Sequence, residues 1–285
     1  MIARISKDTG ESVRKACRVL SVARSSFYKA KTPSARSQED ERLGGIVESI
    51  FREHRRRYGY RRIHSEMEDR GEACTRERVR RLMRERGLRA VNRARFVPRT
   101  SDGKALSPAP NLLAERPSPE KPDEVWAGDI TFIPFQNGWL YLAVVIDLFS
   151  RRIVGWHLDE HMKSGLVVAA LEKAVSTRSR GSGDLIFHSD RGSQYGSGAF
   201  RDRLAEHGIV QSMSKKACPY DNAWTESFMG TLKTEMLGDG TFETCGDAQA
   251  AIFEYIESYY NTKRKHSSLE YQTPSGIEKL ILTLV

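Results

Sequence analysis

Three carboxylates in the second half of the chain, Asp129, Asp190 and Glu226, have the residue type and the settings to hold a hard cation. Asp129 lies in VWAGDITFI, where Trp126, Ile130 and Phe132 alternate with Ala127, Asp129 and Thr131. Strand side chains alternate between two faces, so Asp129 is expected on the face not packed with large apolar groups. Asp190 follows the short apolar run LIFHS and opens a glycine-bearing loop. That is where α/β sheets collect ligand-binding residues, just past a strand's carboxyl end. Glu226 belongs to NAWTESFMGTLKTE, a helix for which Pro219 with Asp221 or Asn222 supplies a start. At about 100° per residue, Trp224, Phe228 and Leu232 share an arc of about 80° and form the expected buried stripe. Glu226 lies about 160° from the middle of that stripe, and Lys233 within about 20° of Glu226. A surface Glu–Lys pair alone would signal only solubility. Three converging carboxylates are hard oxygen donors suited to Mg²⁺ or Mn²⁺. Two such ions about 3.5–4 Å apart can activate a water or hydroxyl and stabilise the leaving oxygen of a phosphodiester.

Other polar groups compete for this role. His157 and His161 have metal-like spacing, but the first ends a strand and the second approaches a helix, so both are expected to face solvent. Asp147 closes the apolar run LYLAVVID and is read as a turn residue bonding the backbone. His188 either orients the site or packs within its strand. Cys218 has no base placed beside it in sequence, and metal-assisted phosphoryl transfer requires no thiol.

The elements that must position these groups follow a change of pattern near residue 125. VWAGDITFI, WLYLAVVID and RRIVGWHL are three β-rich runs separated by short polar turns, which predicts a meander. A helix over 164–177, the strand LIFHS, a helix over 197–206, the strand IVQSM and the glutamate helix complete a β-β-β-α-β-α-β-α order. This is an α/β domain, a mixed sheet flanked by helices. Six of the ten prolines (Pro98, Pro108, Pro110, Pro117, Pro119 and Pro122) fall in residues 98–124, read as a linker without regular structure.

Charge divides at the same place. The first 100 residues hold 27 Lys and Arg against 13 Asp and Glu, a net of +14, and residues 101–285 hold 19 against 24, a net of −5. A basic first third joined to an acidic remainder suggests a polyanion-gripping part beside a part with other work. Within it, ESVRKACRVLSVARSSFYK (residues 11–29) reads as two helices about a turn at Ser21-Val22-Ala23, with Ala16, Val19 and Leu20 lining one side and Phe27 and Tyr28 closing on it. That spacing suits a helix-turn-helix. Over 39–97, Ile46, Ile50 and Phe51 mark one apolar stripe and Ile63 with Met67 another, ended near Gly71. Thr75 caps a third helix bearing Val79, Leu82 and Met83, which Gly87 terminates. The polar faces are nearly all arginine, and acids are too few to pair them all. Arg56, Arg57, Arg61, Arg62, Arg80, Arg81 and Arg84 are candidate DNA contacts, joined by Lys263 and Arg264 in the C-terminal tail. No apolar run is long enough to span a bilayer, MIARISKDTG lacks a secretory h-region, and Cys17, Cys74, Cys218 and Cys245 form no C-x-x-C pair. A reducing, cytoplasmic setting is expected.

Between Asp190 and Glu226 lie 35 residues, the D-D-(35)-E spacing of bacterial insertion-sequence transposases and retroviral integrases. The surrounding text agrees: WAGDITFI, GWLYLAVVIDLFSRRIVGW, FHSDRGSQY, SMSKKACPYDNAWTESFMGTLKTE, YYNTKRKHSSLEYQTP, and in the arm RYGYRRIHSEM and RVRRLMRERGLRA. From about residue 12 to 276 the chain resembles the second-open-reading-frame product of insertion sequences that make their full transposase by ribosomal frameshifting. The resemblance implies a ribonuclease-H-like catalytic fold, and metal-dependent DNA strand cleavage followed by strand transfer. By motif position it implies Asp129, Asp190 and Glu226 as catalytic and metal-binding, with two Mg²⁺ or Mn²⁺ ions, and Lys233 as a DNA-contacting lysine. The partners it implies are the element's terminal repeats and target DNA, the upstream-frame product as a fusion, and further copies of the chain. Ala217-Cys218 departs from the glycine and small polar residue of relatives, a change expected to stiffen the loop to the glutamate helix. The expected organisation is a helix-turn-helix-like segment (1–35), a basic helical DNA-binding domain (39–97), the linker (98–124) and an integrase-type core with a C-terminal tail (125–285). A nuclease of similar fold that cuts without joining, and a DNA-binding regulator with an inactive core, are the competing readings.

Overall fold

The computed structural model describes residues 2–31, 34–91, 108–114, 116–178, 184–215, 223–237 and 240–284. Ala217-Cys218 and the proposed helix start at Pro219, Asp221 and Asn222 lie outside them. The chain forms two compact units, residues 1–90 and 91–285.

The first unit is all-helical: α1 (Ile2–Thr9), α2 (Val13–Val19), α3 (Arg24–Lys31), α4 (Ala35–Glu53), α5 (Tyr60–Asp69) and α6 (Arg76–Glu85). Ser12, Ser34 and Thr75 each cap a helix by accepting a backbone N–H three residues on. Gly71 and Gly87 sit just past α5 and α6 at φ of 76° and 64°, where a left-handed residue ends a helix. Leu43, Val47, Ile50 and Phe51 of α4 are buried, as are Ile63 and Met67 of α5 and Val79, Leu82 and Met83 of α6. In the first helix pair the sequence reading needs correction. Val19 is 76% exposed and Tyr28 50%, and Cys17 with Ala16 supplies the buried side.

The second unit is built on a five-stranded mixed sheet in the order β3-β2-β1-β4-β5. Its strands are β1 (Val125–Phe135), β2 (Gly138–Asp147), β3 (Ile153–Asp159), β4 (Ile186–Ser189) and β5 (Val210–Met213). The meander β1-β2-β3 is antiparallel, whereas β4 pairs parallel to both β1 and β5. Parallel pairing requires crossovers, supplied by α7 (Ser164–Thr177) before β4 and α8 (Gly198–Glu206) before β5. One sheet face packs Trp126, Ile130, Ala143 and Val145 against Leu166, Ala170, Phe200 and Leu204 of these helices. The fit is close: a Cβ on Gly155 of β3 would lie 2.2 Å from the Ala170 carbonyl oxygen of α7, and one on Gly128 of β1 would lie 2.5 Å from the Phe187 ring.

The opposite face of β1 is covered by α9 (Ala223–Leu232) and α10 (Cys245–Phe253). The face expected to lack packed apolar groups is therefore covered: Thr131 and Ile133 are buried along with Asp129. After α9 the backbone widens into a π-helical stretch, Lys233–Leu237, and a second one, Glu254–Tyr260, follows α10. A last helix, α11 (Pro274–Leu284), closes the unit. Part of the proline-rich stretch belongs to this unit and is not a free linker. Met213 of β5 donates to the Pro110 carbonyl (3.2 Å), Leu112 N donates to Ser212 Oγ (2.9 Å), and Ala109 packs against the core.

Candidate active site

Asp129 sits in the middle of β1, opposite Val144 of β2, and is only 9% exposed. Among the described residues, its carboxylate accepts one hydrogen bond, from the adjacent Ile130 N–H at 2.9 Å. A buried carboxylate needs more than one donor to stay ionised. Its pKa is pushed up to about 8, first by burial, then by the negative charge of Asp190. The Ile130 N–H opposes this, Glu226 adds to it, and Lys233 opposes it again. Asp190, Glu226 and Lys233 therefore all act electrostatically on Asp129, although 103 residues lie between Asp129 and Lys233.

Each group is held by a different device. Asp190 is the first residue past β4, whose parallel pairing places it at the same sheet end as β1's neighbour register Ala127–His188. Its Oδ1 accepts the Gly192 N–H (2.9 Å) in a tight turn, where a Cβ would lie 3.0 Å from that same oxygen. Glu226 projects from the first turns of α9 and is exposed. The helix is anchored beneath it by Thr225, Phe228, Met229 and Leu232. Trp224 is not part of that stripe; it is 41% exposed, with the Arg151 guanidinium 5.1 Å from its ring centre. Lys233 is half-buried at the point where α-helix gives way to π-helix.

Tyr195 was missed by sequence reasoning. Its phenol is buried, and burial together with the charges of Asp129 and Asp190 raises its pKa well above the usual phenol value. It fills the space that Gly128 leaves, with its hydroxyl 3.1 Å from where a Cβ on that glycine would sit. The signal available was a glycine beside the aspartate in WAGDI and an aromatic in SQY, neither informative without the fold.

The competing groups lie elsewhere. Asp147 accepts from Ser150 N (2.7 Å), Ser150 Oγ (2.8 Å) and Asp123 N (2.8 Å), so it is a buried turn residue. His188 is a packed strand histidine whose Nδ1 lies 2.9 Å from Ser212 Oγ. His161 is exposed and His157 half-buried.

Among the candidate DNA contacts, two are corrected. Arg264 is 4% exposed and grips Glu235 through both Nε and Nη2 at 2.8–3.0 Å, while Tyr255 donates to the same carboxylate at 3.0 Å. It is a buried structural ion pair that braces the π-helical stretch after α9, and it has no surface to offer DNA. Arg81 is half-buried and bonded to Asp40 (2.8 Å) and Glu85 (3.1 Å), tying α6 to α4. Arg56, Arg61, Arg80, Arg84 and Lys263 are exposed, and Arg57 and Arg62 half-buried. Arg61 and Arg80 flank the Tyr60 ring at 5.6 and 5.8 Å.

A buried carboxylate whose charged form is made costly by burial and by two acidic neighbours belongs to a donor set that a divalent cation fits, because the cation offsets that cost. Among the described residues no three acidic, histidine or cysteine side chains are gathered closely enough to hold an ion as they stand.

Comparison with known proteins decides the family. An Integrase core domain matches residues 119–219, a second family of that description matches 207–274, and an HTH-like domain matches 38–96. The transposase for insertion sequence element IS904 of Lactococcus lactis is 42% identical over 250 residues, 87% of this chain and 98% of that relative. This chain belongs to the insertion-sequence transposase family. Transposase InsF for insertion sequence IS3A of Escherichia coli K12 is 38% identical over 271 residues, 94% of each chain. A 31 kDa insertion element IS600 protein of Shigella sonnei is 38% identical over 265 residues. Solved structures similar to this transposase include a simian T-cell lymphotropic virus intasome (TM-score 0.47, 18% identity, 72% of this chain and 67% of that one). The magnesium-bound HTLV-2 integrase catalytic core is another (TM-score 0.43, 20% identity, 56% and 98%). No described helix is long and apolar enough to cross a membrane.

Proposed function

We propose that this transposase cuts and joins DNA with Asp129, Asp190 and Glu226 as its metal-binding acids, taking Mg²⁺ or Mn²⁺, two ions at a time. The observation that carries the reading is the buried Asp129, held at a pKa of about 8 by burial and by its two acidic neighbours. Such a group is costly to keep in a fold unless a cation is its partner. When bound, the divalent pair activates the attacking oxygen and offsets charge on the leaving oxygen of a phosphodiester. The protein's part is positional. The sheet holds Asp129, the turn to Gly192 holds Asp190, and α9 carries Glu226 and leads directly into Lys233. Lys233 is suited to a phosphate of the bound strand. Water attack on phosphorus would release a 3′-hydroxyl, whose oxygen would attack a second phosphodiester, displacing that strand's own 3′-oxygen.

The basic helical unit supplies DNA affinity through Arg56, Arg57, Arg61, Arg62, Arg80 and Arg84, with Lys263 contributing from the core. The substrates are double-stranded element ends and target DNA. The chain works as an oligomer and, for end recognition, as a fusion with an upstream-frame product, in the cytoplasm. The test is joining of a pre-cut 3′-hydroxyl DNA end to a plasmid with Mg²⁺ or Mn²⁺. Asp129→Asn, Asp190→Asn and Glu226→Gln should each abolish joining while DNA is still bound. Cutting without joining by the native chain would make it a nuclease, and an inert chain that binds DNA would make it a regulator.

A further inference from the structure

The stretch that carries Lys233 is held by more than apolar packing. Lys233 opens the π-helical run Lys233–Leu237, and Glu235, two residues on, is the acceptor at the centre of a buried cluster. Arg264 donates from Nε to both Glu235 oxygens (3.0 and 2.9 Å) and from Nη2 to Oε1 (2.8 Å), while the Tyr255 hydroxyl donates to Oε2 (3.0 Å). The remaining guanidinium nitrogen, Nη1, lies 3.3 Å from His266 Nε2, which accepts because an arginine has only protons to give. The Tyr260 ring sits 5.6 Å from the same guanidinium and meets the His266 ring edge-on at 4.9 Å. It also packs edge-on against Phe228 of α9, with ring centres 4.8 Å apart. Tyr255 and Tyr260 both belong to the second π-helical run, Glu254–Tyr260. The two π-helical runs therefore meet through this cluster, and the first of them continues directly from the helix of Glu226.

Stability alone does not call for such a cluster. A buried ion pair is often replaced by apolar residues of similar volume without loss, because desolvation offsets its attraction. What apolar packing does not supply is direction. A guanidinium fork bonded to both oxygens of a carboxylate fixes the plane and rotation of its partner, and a fully bonded polar network holds one arrangement. Glu235 is thereby set in one orientation about the helix axis, and Lys233, two residues before it on the same backbone, is set with it. π-Helical turns are rare and concentrate at functional sites. The Lys233 ammonium acts on Asp129, so the direction in which it is held bears on the acids. We propose that Arg264 is a positioning residue for strand joining: through Glu235 it fixes the turn of backbone that aims Lys233 at the phosphate held beside the carboxylates. Tyr255 secures the Glu235 carboxylate, and His266 orients the guanidinium. The inference rests on the reading of the chain as a DNA-joining enzyme with Lys233 on the bound strand, and adds the group that orients that lysine.

The test uses the full chain, joining a pre-cut DNA end in single turnover with excess protein, below the melting temperature of every variant. Arg264→Lys keeps a cation beside Glu235 and loses the fork. Glu235→Met/Tyr255→Phe/Arg264→Met removes the acceptor together with its donors, so it leaves no lone charge in the core. At saturating DNA both should join about tenfold to a hundredfold more slowly than the native chain, the scale of a misplacement of about 1 Å at a reacting centre. The half-saturating DNA concentration and its salt slope should stay as they are, because the basic helical unit is untouched. In a Lys233→Ala background the same substitutions should cause no further fall, since groups that act through one another are not additive. Tyr255→Phe alone removes a single hydroxyl; it should show a smaller loss of the same kind, and it carries the test if the larger changes do not fold. Suppose the native chain joins DNA: variants that fold and join at its rate, or losses that multiply undiminished onto that of Lys233→Ala, overturn the positioning role and leave the cluster to stability alone. A native chain that never joins DNA overturns the enzyme reading, and this inference with it.

Discussion

Asp129→Asn should abolish joining and at the same time make the metal-free protein more stable. Asp129 has a folded pKa of about 8 against an ordinary 3.8, so between those values the folded state holds a proton that the unfolded state has released. Stability therefore falls as pH rises through that window and levels off above it. At pH 7 the cost accumulated is roughly three pH units at about 1.4 kcal/mol each, or about 4 kcal/mol. An asparagine keeps the shape and has nothing to ionise. For a unit of this size a kcal/mol moves the melting temperature by about 2–4 °C, so a gain of order 10 °C is expected for the catalytic unit at pH 7 with a chelator present. The gap should close near pH 4, where the unfolded aspartate also holds its proton. Mg²⁺ should then raise the melting temperature of the native chain and not that of the variant. Scanning calorimetry of both proteins at pH 4, 7 and 8, with chelator and with Mg²⁺, measures all of this. An Asp129→Asn protein that melts at or below the native chain at pH 7 without metal would refute the electrostatic account of the site.

Three further outcomes separate structural from functional groups. Asp147→Asn replaces a carboxylate that accepts three hydrogen bonds by an amide with one acceptor, so it should cost about 1–3 kcal/mol while joining persists below the new melting point; a folded but inert variant would return Asp147 to the list of ligands. Arg264→Met removes the cation paired with the buried Glu235 and should cost about 3–5 kcal/mol, with no change in the salt slope of DNA binding; a flattened slope at full stability would make Arg264 a DNA contact after all. Arg80→Ala should reduce the salt slope by about 0.9 with little change in melting, whereas Arg81→Ala should mainly loosen the α4–α6 contact; binding titrations and melts of the pair would show the reverse if the choice of face is wrong.

The strands and helices of the core were legible because their apolar patterns are local: β1, β2, β3 and α7 start and stop within a few residues of where alternation and turn residues place them. The caps at Thr75 and Gly87 were legible for the same reason. What the sequence hid depends on which element covers which face. The alternation in VWAGDITFI separates Asp129 from Trp126, but only the packing of α9 and α10 makes the aspartate buried. Arg81 and Arg264 look like any surface arginine until Asp40 and Glu235, 41 and 29 residues away, are brought to them. Helical arithmetic placed Trp224 in the core because it counted apolarity; in the fold Arg151 takes the tryptophan's face at the surface. Prolines 108 and 110 exclude a strand's donors but not its acceptors, which is why a segment read as linker can still lie along β5.

Gly155 bears on how other copies of such a gene should be judged. A genome that harbours degenerate copies invites sorting them by whether the three acids survive. Gly155 lies on the sheet edge remote from that motif, yet any side chain there would run into the backbone of α7, at 2.2 Å from one carbonyl oxygen. A copy with all its acids intact and alanine at this position would pass a motif search and fail to assemble the domain. Counting live elements therefore calls for inspecting the glycines against which helices lie, in addition to the residues that do the chemistry.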